Sequence, residues 1–100
     1  MAYQIIATKR FANKVSRLLH YLELNWGERV ANKFEEQLLK RLIVLSNHPF
    51  VGANSGRKNC RSILLTKHNR LYYRINNNTI EVLNMYDTRM RPSKNPFHKK

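Results

Sequence analysis

Residues 70–89 read RLYYRINNNTIEVLNMYDTR, and this stretch decides the fold. Two runs rich in β-branched and aromatic residues flank Asn76-Asn77-Asn78, and asparagine tolerates the left-handed backbone of a tight turn. A third such run, RSILLTK at 61–67, comes before them and is followed by His68-Asn69. Strand-like runs at this spacing predict a three-stranded antiparallel meander.

The chain before residue 50 predicts one strand and two helices. AYQIIA at 2–7 is short and apolar, which favours a buried strand. Thr8 is suited to cap a helix, and two stripes of apolar residues at helical spacing follow, interrupted at Asn25 and Gly27. The second stripe ends at His48-Pro49, because proline disfavours a helical backbone in the residue before it. The stripes consist of Phe11, Val15, Leu18, Leu19 and Leu22, and of Val30, Phe34, Leu38, Leu39, Leu42, Ile43 and Leu45.

These elements predict an α+β fold in a single domain of residues 1–100. An N-terminal strand leads into an antiparallel helical hairpin and then the meander. The helices pack on one face of the sheet, because neither layer can bury its apolar side alone. FVGANSGRKNC at 50–60 is predicted to be a loop. Residues from about 87 to 100, with Pro92 and Pro96, are expected to form a basic tail that is irregular and flexible.

The charge of the chain is strongly positive and unevenly distributed. Nineteen Lys and Arg residues face six Asp and Glu, a net charge of +13. Residues 37–80 contain eight basic residues and no acid. Such an excess attracts polyanions or an acidic protein.

Several classes of protein are disfavoured by the sequence. Cys60 is the only cysteine, so no disulfide framework or thiolate metal site is expected, and no two histidines have metal-ligand spacing. We therefore expect no metal and no other cofactor, and no motif for a small-molecule substrate is apparent. The apolar run before Lys9 is too short for a signal peptide or a membrane span, which indicates a cytoplasmic protein without membrane association.

The middle strand of the meander predicts a functional surface. Side chains alternate across a strand, so Leu71, Tyr73 and Ile75 are expected to face the helices. Arg70, Tyr72 and Arg74 then share the open face of the sheet. Two arginines beside a tyrosine suit a phosphate with a stacked base, although such residues also decorate exposed strands for cross-strand pairing alone.

The whole pattern resembles the RelE/ParE superfamily of bacterial toxins from type II toxin–antitoxin modules. The resemblance covers the opening strand, the helical hairpin ending in LSNHP, and the segments HNRLYYRI, NNNTIEVL and YDTRMRP. It implies a toxin held inactive by a cognate, usually acidic, antitoxin. RelE-like members enter the ribosome and cut mRNA, whereas ParE-like members bind DNA gyrase.

The resemblance also implies roles for individual residues. Arg70 matches an arginine that serves the scissile phosphate in the mRNA-cleaving members, and Arg89 or Arg91 matches a second catalytic arginine. Lys67 and Arg61 fall near the lysines that those enzymes place on the preceding strand. The predicted catalytic set is Arg70, Arg89 and Tyr86, and the predicted set for binding RNA or phosphate is Arg61, Lys67, Tyr72, Arg74 and Arg91.

The sequence departs from the nucleolytic members where they carry acid–base groups. The position of their C-terminal tyrosine or histidine is occupied by Phe97, or by Thr88 in another alignment, and Tyr86 is the nearest substitute. Residues 50–60 offer no glutamate, and Asp87, close to Arg89, is expected to anchor an ion pair. Three hypotheses follow: a ribosome-dependent mRNA endonuclease, a non-enzymatic gyrase inhibitor, or an antitoxin-binding homologue that has lost its activity.

Overall fold

A computed structural model of the chain describes residues 2–89 and confirms the α+β class. One strand is followed by two helices and four further strands, which together form a single five-stranded sheet in the order β1-β5-β4-β3-β2. The elements are β1 (Gln4–Ala7), α1 (Lys9–Trp26), α2 (Glu28–Asn47), β2 (Ala53–Asn54), β3 (Cys60–Thr66), β4 (Asn69–Asn76) and β5 (Thr79–Asp87). The predicted tail begins inside β5, and its residues 90–100 lie outside the described part of the chain.

The meander β3-β4-β5 has the predicted antiparallel pairing. Asn77 in the β4–β5 turn has a positive φ of 56°, as the asparagine run predicted. The loop prediction for residues 50–60 missed β2, which pairs with β3 through Ala53 and Asn54. Two residues of strand in a polar segment leave no alternating pattern to detect.

The N-terminal strand is an edge strand, and the prediction that it is buried was wrong. β1 pairs in parallel with β5, from Gln4 opposite Thr79 to Ala7 opposite Val82. Of its four residues only Ile5 is half-buried. Because β1 has a neighbour on one side alone, its other residues remain open to solvent.

The helices begin and end at the predicted signals. The Thr8 hydroxyl accepts a hydrogen bond from the Phe11 amide at 3.3 Å and donates to the carbonyl oxygen of Val82 at 2.9 Å, so the cap also fastens α1 to the sheet. Gly27 alone separates α1 from α2, with φ 94° and ψ 165°. α2 ends at Asn47, directly before His48-Pro49.

Gly27 occupies a backbone region that only glycine adopts readily. An added Cβ would meet no atom within 4 Å, so the cost of Gly27→Ala is conformational rather than steric. We expect it to lower the free energy of unfolding by about 1–3 kcal/mol. Urea denaturation would measure the change. Asn25→Ala, which removes an exposed hydrogen bond to the Tyr21 carbonyl, is the control. Equal losses of unfolding free energy in the two variants would contradict a conformational requirement for glycine at position 27.

The core lies between the helices and one face of the sheet. It is built from Phe11, Phe34, Leu38, Leu45, Leu65, Leu71, Tyr73, Ile80, Val82 and Met85. Two residues predicted to thicken the second stripe, Leu39 and Ile43, are instead 55% and 62% exposed. Successive residues turn by about 100° around a helix, so a helix packed on one side buries one narrow face. Val30, in the first turn of α2, is 41% exposed.

Tyr73 ties the segment after α2 to this core. Its hydroxyl donates to the Pro49 carbonyl oxygen at 2.8 Å and accepts from the Gly52 amide at 3.0 Å. Burial raises the pKa of the Tyr73 phenol above its ordinary value, so the group stays protonated. Arg61 adds a third bond by donating to the Gly52 carbonyl oxygen at 2.7 Å. No helix within residues 2–89 is long and apolar enough to cross a membrane.

Candidate functional site

The surface of the sheet opposite the helices, which we call the open face, brings several of the predicted residues together. Leu71 and Tyr73 point into the core, so Arg70, Tyr72 and Arg74 point away from it. Arg70 lies directly opposite Tyr86 on β5. In the next row Tyr72 has Ser62 on one side and Asn84 on the other.

Arg70 is held in place on this face. Its Nη1 donates to the Ser62 hydroxyl oxygen at 3.0 Å, and the side chain is half-buried. A guanidinium has five N–H donors, so one bond to a hydroxyl leaves most of them for another acceptor. An oriented guanidinium of this kind is suited to a phosphate oxygen pair.

Tyr72 does not have the exposed position that a base-stacking role requires. It is only 6% exposed, and its ring meets that of Tyr86 edge to face, with centroids 6.0 Å apart and planes at 73°. The prediction that Tyr72 stacks on RNA is therefore not supported by its position. The sequence predicted the correct face of the sheet for Tyr72. Neighbouring side chains bury it there, and its ring packs against the ring of Tyr86 instead.

Tyr86 is contacted by a residue that the sequence did not single out. The Lys14 ammonium lies 4.0 Å from the centroid of the Tyr86 ring and donates to the Met85 carbonyl oxygen at 2.7 Å. The Tyr86 hydroxyl in turn accepts from Asn84 Nδ2 at 3.1 Å. Lys14 lies on α1, off the apolar stripe. The packing of α1 against β5, two elements far apart in the sequence, brings the two side chains together.

The environment of Lys14 predicts a pH effect on stability. Burial, followed by the nearby charges of Arg17 and Arg10, lowers its pKa from 10.5. The folded protein thus binds this proton less tightly than the unfolded chain, so Lys14 makes stability rise as the pH increases from its folded pKa toward 10.5. We expect the difference in unfolding free energy between wild type and Lys14→Met to grow in favour of wild type across this window.

Urea denaturation at a series of alkaline pH values would measure that difference. Lys9→Met removes a charge at an exposed position of the same helix and is the control for the loss of one lysine. A difference between wild type and Lys14→Met that stays constant across this pH range would contradict the shifted pKa.

Arg74 and Arg89 are both engaged in ion pairs. Arg74 Nη2 lies 3.1 Å from Glu81 Oε1 on the open face. The Arg89 guanidinium donates two hydrogen bonds to the Asp87 carboxylate, from Nη2 to Oδ2 at 2.7 Å and from Nε to Oδ1 at 2.9 Å. Arg89 also holds the pKa of the Asp87 carboxyl well below its usual range, which makes that carboxylate a weak base. The expected anchor role of Asp87 agrees with this geometry.

The remaining predicted residues are dispersed. Arg61 lies opposite Tyr73, on the helix side of the sheet, where it bonds the Gly52 carbonyl and contacts the Phe50 ring. It therefore does not join Arg70, because an odd step along β3 reverses the side. Lys67 is exposed in the β3–β4 turn. Arg91 lies outside the described residues.

The chain is similar to one protein family and to several solved structures. The family described as "ParE toxin of type II toxin-antitoxin system, parDE" matches residues 5–92. A solved structure of a chromosomal ParDE system from P. aeruginosa is similar, with a TM-score of 0.74 at 15% identity over 86% of this chain and 96% of that one. The intact E. coli RelBE toxin–antitoxin complex gives 0.63 at 20% identity, over 89% of this chain and 100% of that one.

A YoeB dimer from Staphylococcus aureus gives a TM-score of 0.62 at 13% identity, over 86% of this chain and 97% of that one. At such identities the solved structures show a common fold alone, and no curated protein matches the sequence. The fold is thus that of the RelE/ParE toxins. The family match extends over most of the sequence, and the chain belongs to the ParE toxin family of type II toxin–antitoxin systems.

Proposed function

We propose that this toxin inhibits translation by cleaving mRNA on the ribosome, with the open face as its RNA-binding surface. The observation that supports this most is the cross-strand pair of Arg70 and Tyr86. Directly opposite side chains in an antiparallel pair have Cβ atoms about 5 Å apart, so a guanidinium and a phenol share one small surface. Their positions are fixed by Ser62 and Asn84 respectively.

Each group has a defined task in this reaction. The RNA 2′-hydroxyl gives up its proton to solvent water and its oxygen attacks the adjacent phosphorus. The bond from phosphorus to the 5′-oxygen of the next nucleotide breaks, which leaves a 2′,3′-cyclic phosphate and a 5′-hydroxyl. Arg70 would stabilise the negative charge that builds on the phosphate oxygens. Tyr86, beside it, would pass a proton to the leaving oxygen or stack on a base. The nearby Lys14 cation keeps the Tyr86 ring in place.

The outer basic residues would bind the flanking RNA. Lys67 and Arg74 lie near opposite ends of β4, and Arg89 would serve once its ion pair with Asp87 exchanges for one with phosphate. Arg91 stays a prediction for the same role. No step of this scheme uses a cofactor.

A second candidate function is inhibition of DNA gyrase by binding, without chemistry. Two observations favour it: the match to the ParE toxin family, and the engagement of the carboxylate next to Tyr86 in the sequence. That carboxylate, of Asp87, is held by Arg89, and the Ser62 and Asn84 side chains that bond Arg70 and Tyr86 are neutral. The open face would then recognise protein.

An acidic antitoxin is the expected regulatory partner in both cases. The solved relatives include toxins from ParDE and RelBE systems, and a net charge of +13 favours a negatively charged binding partner.

Primer extension on mRNA from an in vitro translation reaction would test the proposal. Discrete new 5′ ends that appear only while ribosomes translate are the expected result. Intact mRNA, together with loss of supercoiling by purified gyrase, would establish the second candidate instead. Protein that is folded, does neither and leaves growing cells unharmed would contradict both, and leave a homologue without toxic activity.

A further inference from the structure

A cavity of about 310 Å³ is lined in part by Cys60 on β3 and Arg74 on β4, a directly opposite pair on the same face of the sheet as Arg70. Arg74 at its edge follows Arg70 by four residues on β4, which is about 13 Å along an extended strand. We call this space the arginine cavity. It is lined by Thr8, Arg10, Arg57, Cys60, Arg74 and Leu83.

The arrangement of Arg74 leaves part of its guanidinium available to a ligand. Both Nε and Nη2 donate to the same oxygen, Glu81 Oε1, at 3.2 and 3.1 Å. This fixes the plane of the group and leaves Nη1 outside the ion pair. A pre-oriented guanidinium loses less freedom when it binds an anion.

The apolar side of the cavity comes from an irregularity in the sheet. Tyr72 pairs with Asn84 but Tyr73 pairs with Val82, so Leu83 is the extra residue of a β-bulge. A bulge redirects side chains, and bulges are frequent beside binding sites. Leu83 consequently lines the arginine cavity together with the buried Cys60.

The charge of the lining calls for an anion. Three of the lining residues in the described part of the chain are arginines and none of those residues is acidic, and the adjacent Glu81 is bound to one of the arginines. Several cationic groups around one concave site attract an anion. Arginine binds phosphate in paired geometry, and a volume of about 300 Å³ is sufficient for a small ligand.

We propose that the arginine cavity binds a backbone phosphate of the same single-stranded RNA whose scissile phosphate lies at Arg70. This inference rests on the proposed action on RNA. A nucleic-acid strand presents phosphates at regular intervals, which matches two cationic positions aligned on one β-strand of one face. The apolar wall of Leu83 and Cys60 accommodates the edge of a neighbouring base. Arg10 and Arg57, which the sequence did not single out, thereby become RNA-binding residues.

The test compares two double variants with equal net charge. Arg10→Gln/Arg57→Gln removes two cavity charges, and Arg29→Gln/Arg41→Gln removes two exposed charges from α2. The probe is a fluorescent 2′-O-methyl oligouridylate, which cannot be cleaved by attack of a 2′-hydroxyl. Its Kd is measured by anisotropy from about 50 to 200 mM KCl, because each single-strand phosphate contact contributes about 0.7 to the salt slope.

We expect the cavity variant to bind about tenfold more weakly or worse at low salt, with a slope smaller by about 0.7 or more. The α2 variant should keep the wild-type slope. Equal behaviour of the two variants would overturn the inference, and so would a wild type that does not bind the oligonucleotide. Competition by an oligoglutamate peptide that is lost in the cavity variant, without loss of RNA binding, would assign the cavity to an acidic protein instead.

The two proposals fail in different ways. A wild type that cleaves mRNA while the cavity variant binds and cleaves normally would overturn the RNA subsite and leave the function intact. Cavity-dependent binding of the oligonucleotide by a protein that leaves mRNA intact would support the subsite and contradict cleavage.

Discussion

Replacing Arg70 with alanine should lower the rate of mRNA cleavage by about a hundredfold or more, equivalent to roughly 3 kcal/mol of barrier. The reason is its position: the guanidinium lies opposite Tyr86 and is oriented by the Ser62 hydroxyl. Its charge would act on the phosphate where negative charge develops in the transition state. Primer extension on translating ribosomes, followed over time, gives the rate.

Two further variants make the Arg70→Ala result specific. Arg70→Lys keeps the charge but not the paired donors, so an intermediate rate is expected. Arg41→Ala removes an exposed arginine from α2 and should cleave at the wild-type rate. Folding is checked by urea denaturation, since Arg70 makes one side-chain bond to Ser62 and lies outside the core. Undiminished cleavage by folded Arg70→Ala would exclude it as the phosphate-stabilising group.

The largest effect on stability is expected at Gly52, which is buried against β3 and β4. A Cβ there would lie 2.5 Å from the Tyr73 hydroxyl oxygen, 2.8 Å from the Ser62 carbonyl oxygen and 3.0 Å from Ile63 Cγ2. The Ser62 carbonyl oxygen belongs to the backbone, and the Tyr73 phenol is held by two hydrogen bonds. The segment that contains Gly52 must therefore move to make room for the Cβ. Gly52→Ala should lower the free energy of unfolding by roughly 3 kcal/mol, from overpacking and the weakened Tyr73 hydrogen bonds.

Tyr73→Phe separates the two contributions. By itself it leaves the Gly52 amide and the Pro49 carbonyl without their buried partner, at a cost of about 1–3 kcal/mol. In this background Gly52→Ala should cost less, because the nearest clashing atom is gone while the Ser62 carbonyl remains. Ala53→Ser, at the exposed next position, is the control. Additive losses in the double variant would mean that Gly52 and Tyr73 are not coupled.

The fold was largely predictable because its signals are local. Thr8, Gly27 and the His48-Pro49 pair mark helix ends through the chemistry of single residues, and Asn77 marks a turn in the same way. The exposure of β1 was not predictable from the sequence. Ile5 and Ile6 are chemically identical, and only the position of β1 beside β5 decides which of the two is half-buried. β2 was not predictable either, because its pairing depends on where β3 lies.

The candidate site was predictable only in part, for a related reason. Strand alternation placed Arg70 and Arg74 on the open face. The burial of Tyr72, the cation of Lys14 against Tyr86, and the bulge at Leu83 all depend on contacts between residues far apart in the sequence. Arg61 illustrates the limit most clearly: it is one step from Ser62 along β3, and that step moves it to the other side of the sheet.

The parallel pairing of β1 with β5 has a consequence for synthesis of the protein. Residues 4–7 find their partners only at 79–82, so the first strand stays unpaired until nearly all the described chain has been made. Contacts between such distant segments also slow folding. At translation rates of about 5–20 residues per second, a ribosome making this toxin carries an unfinished sheet for several seconds. The open face, which includes β5, therefore forms only late in the synthesis of the chain.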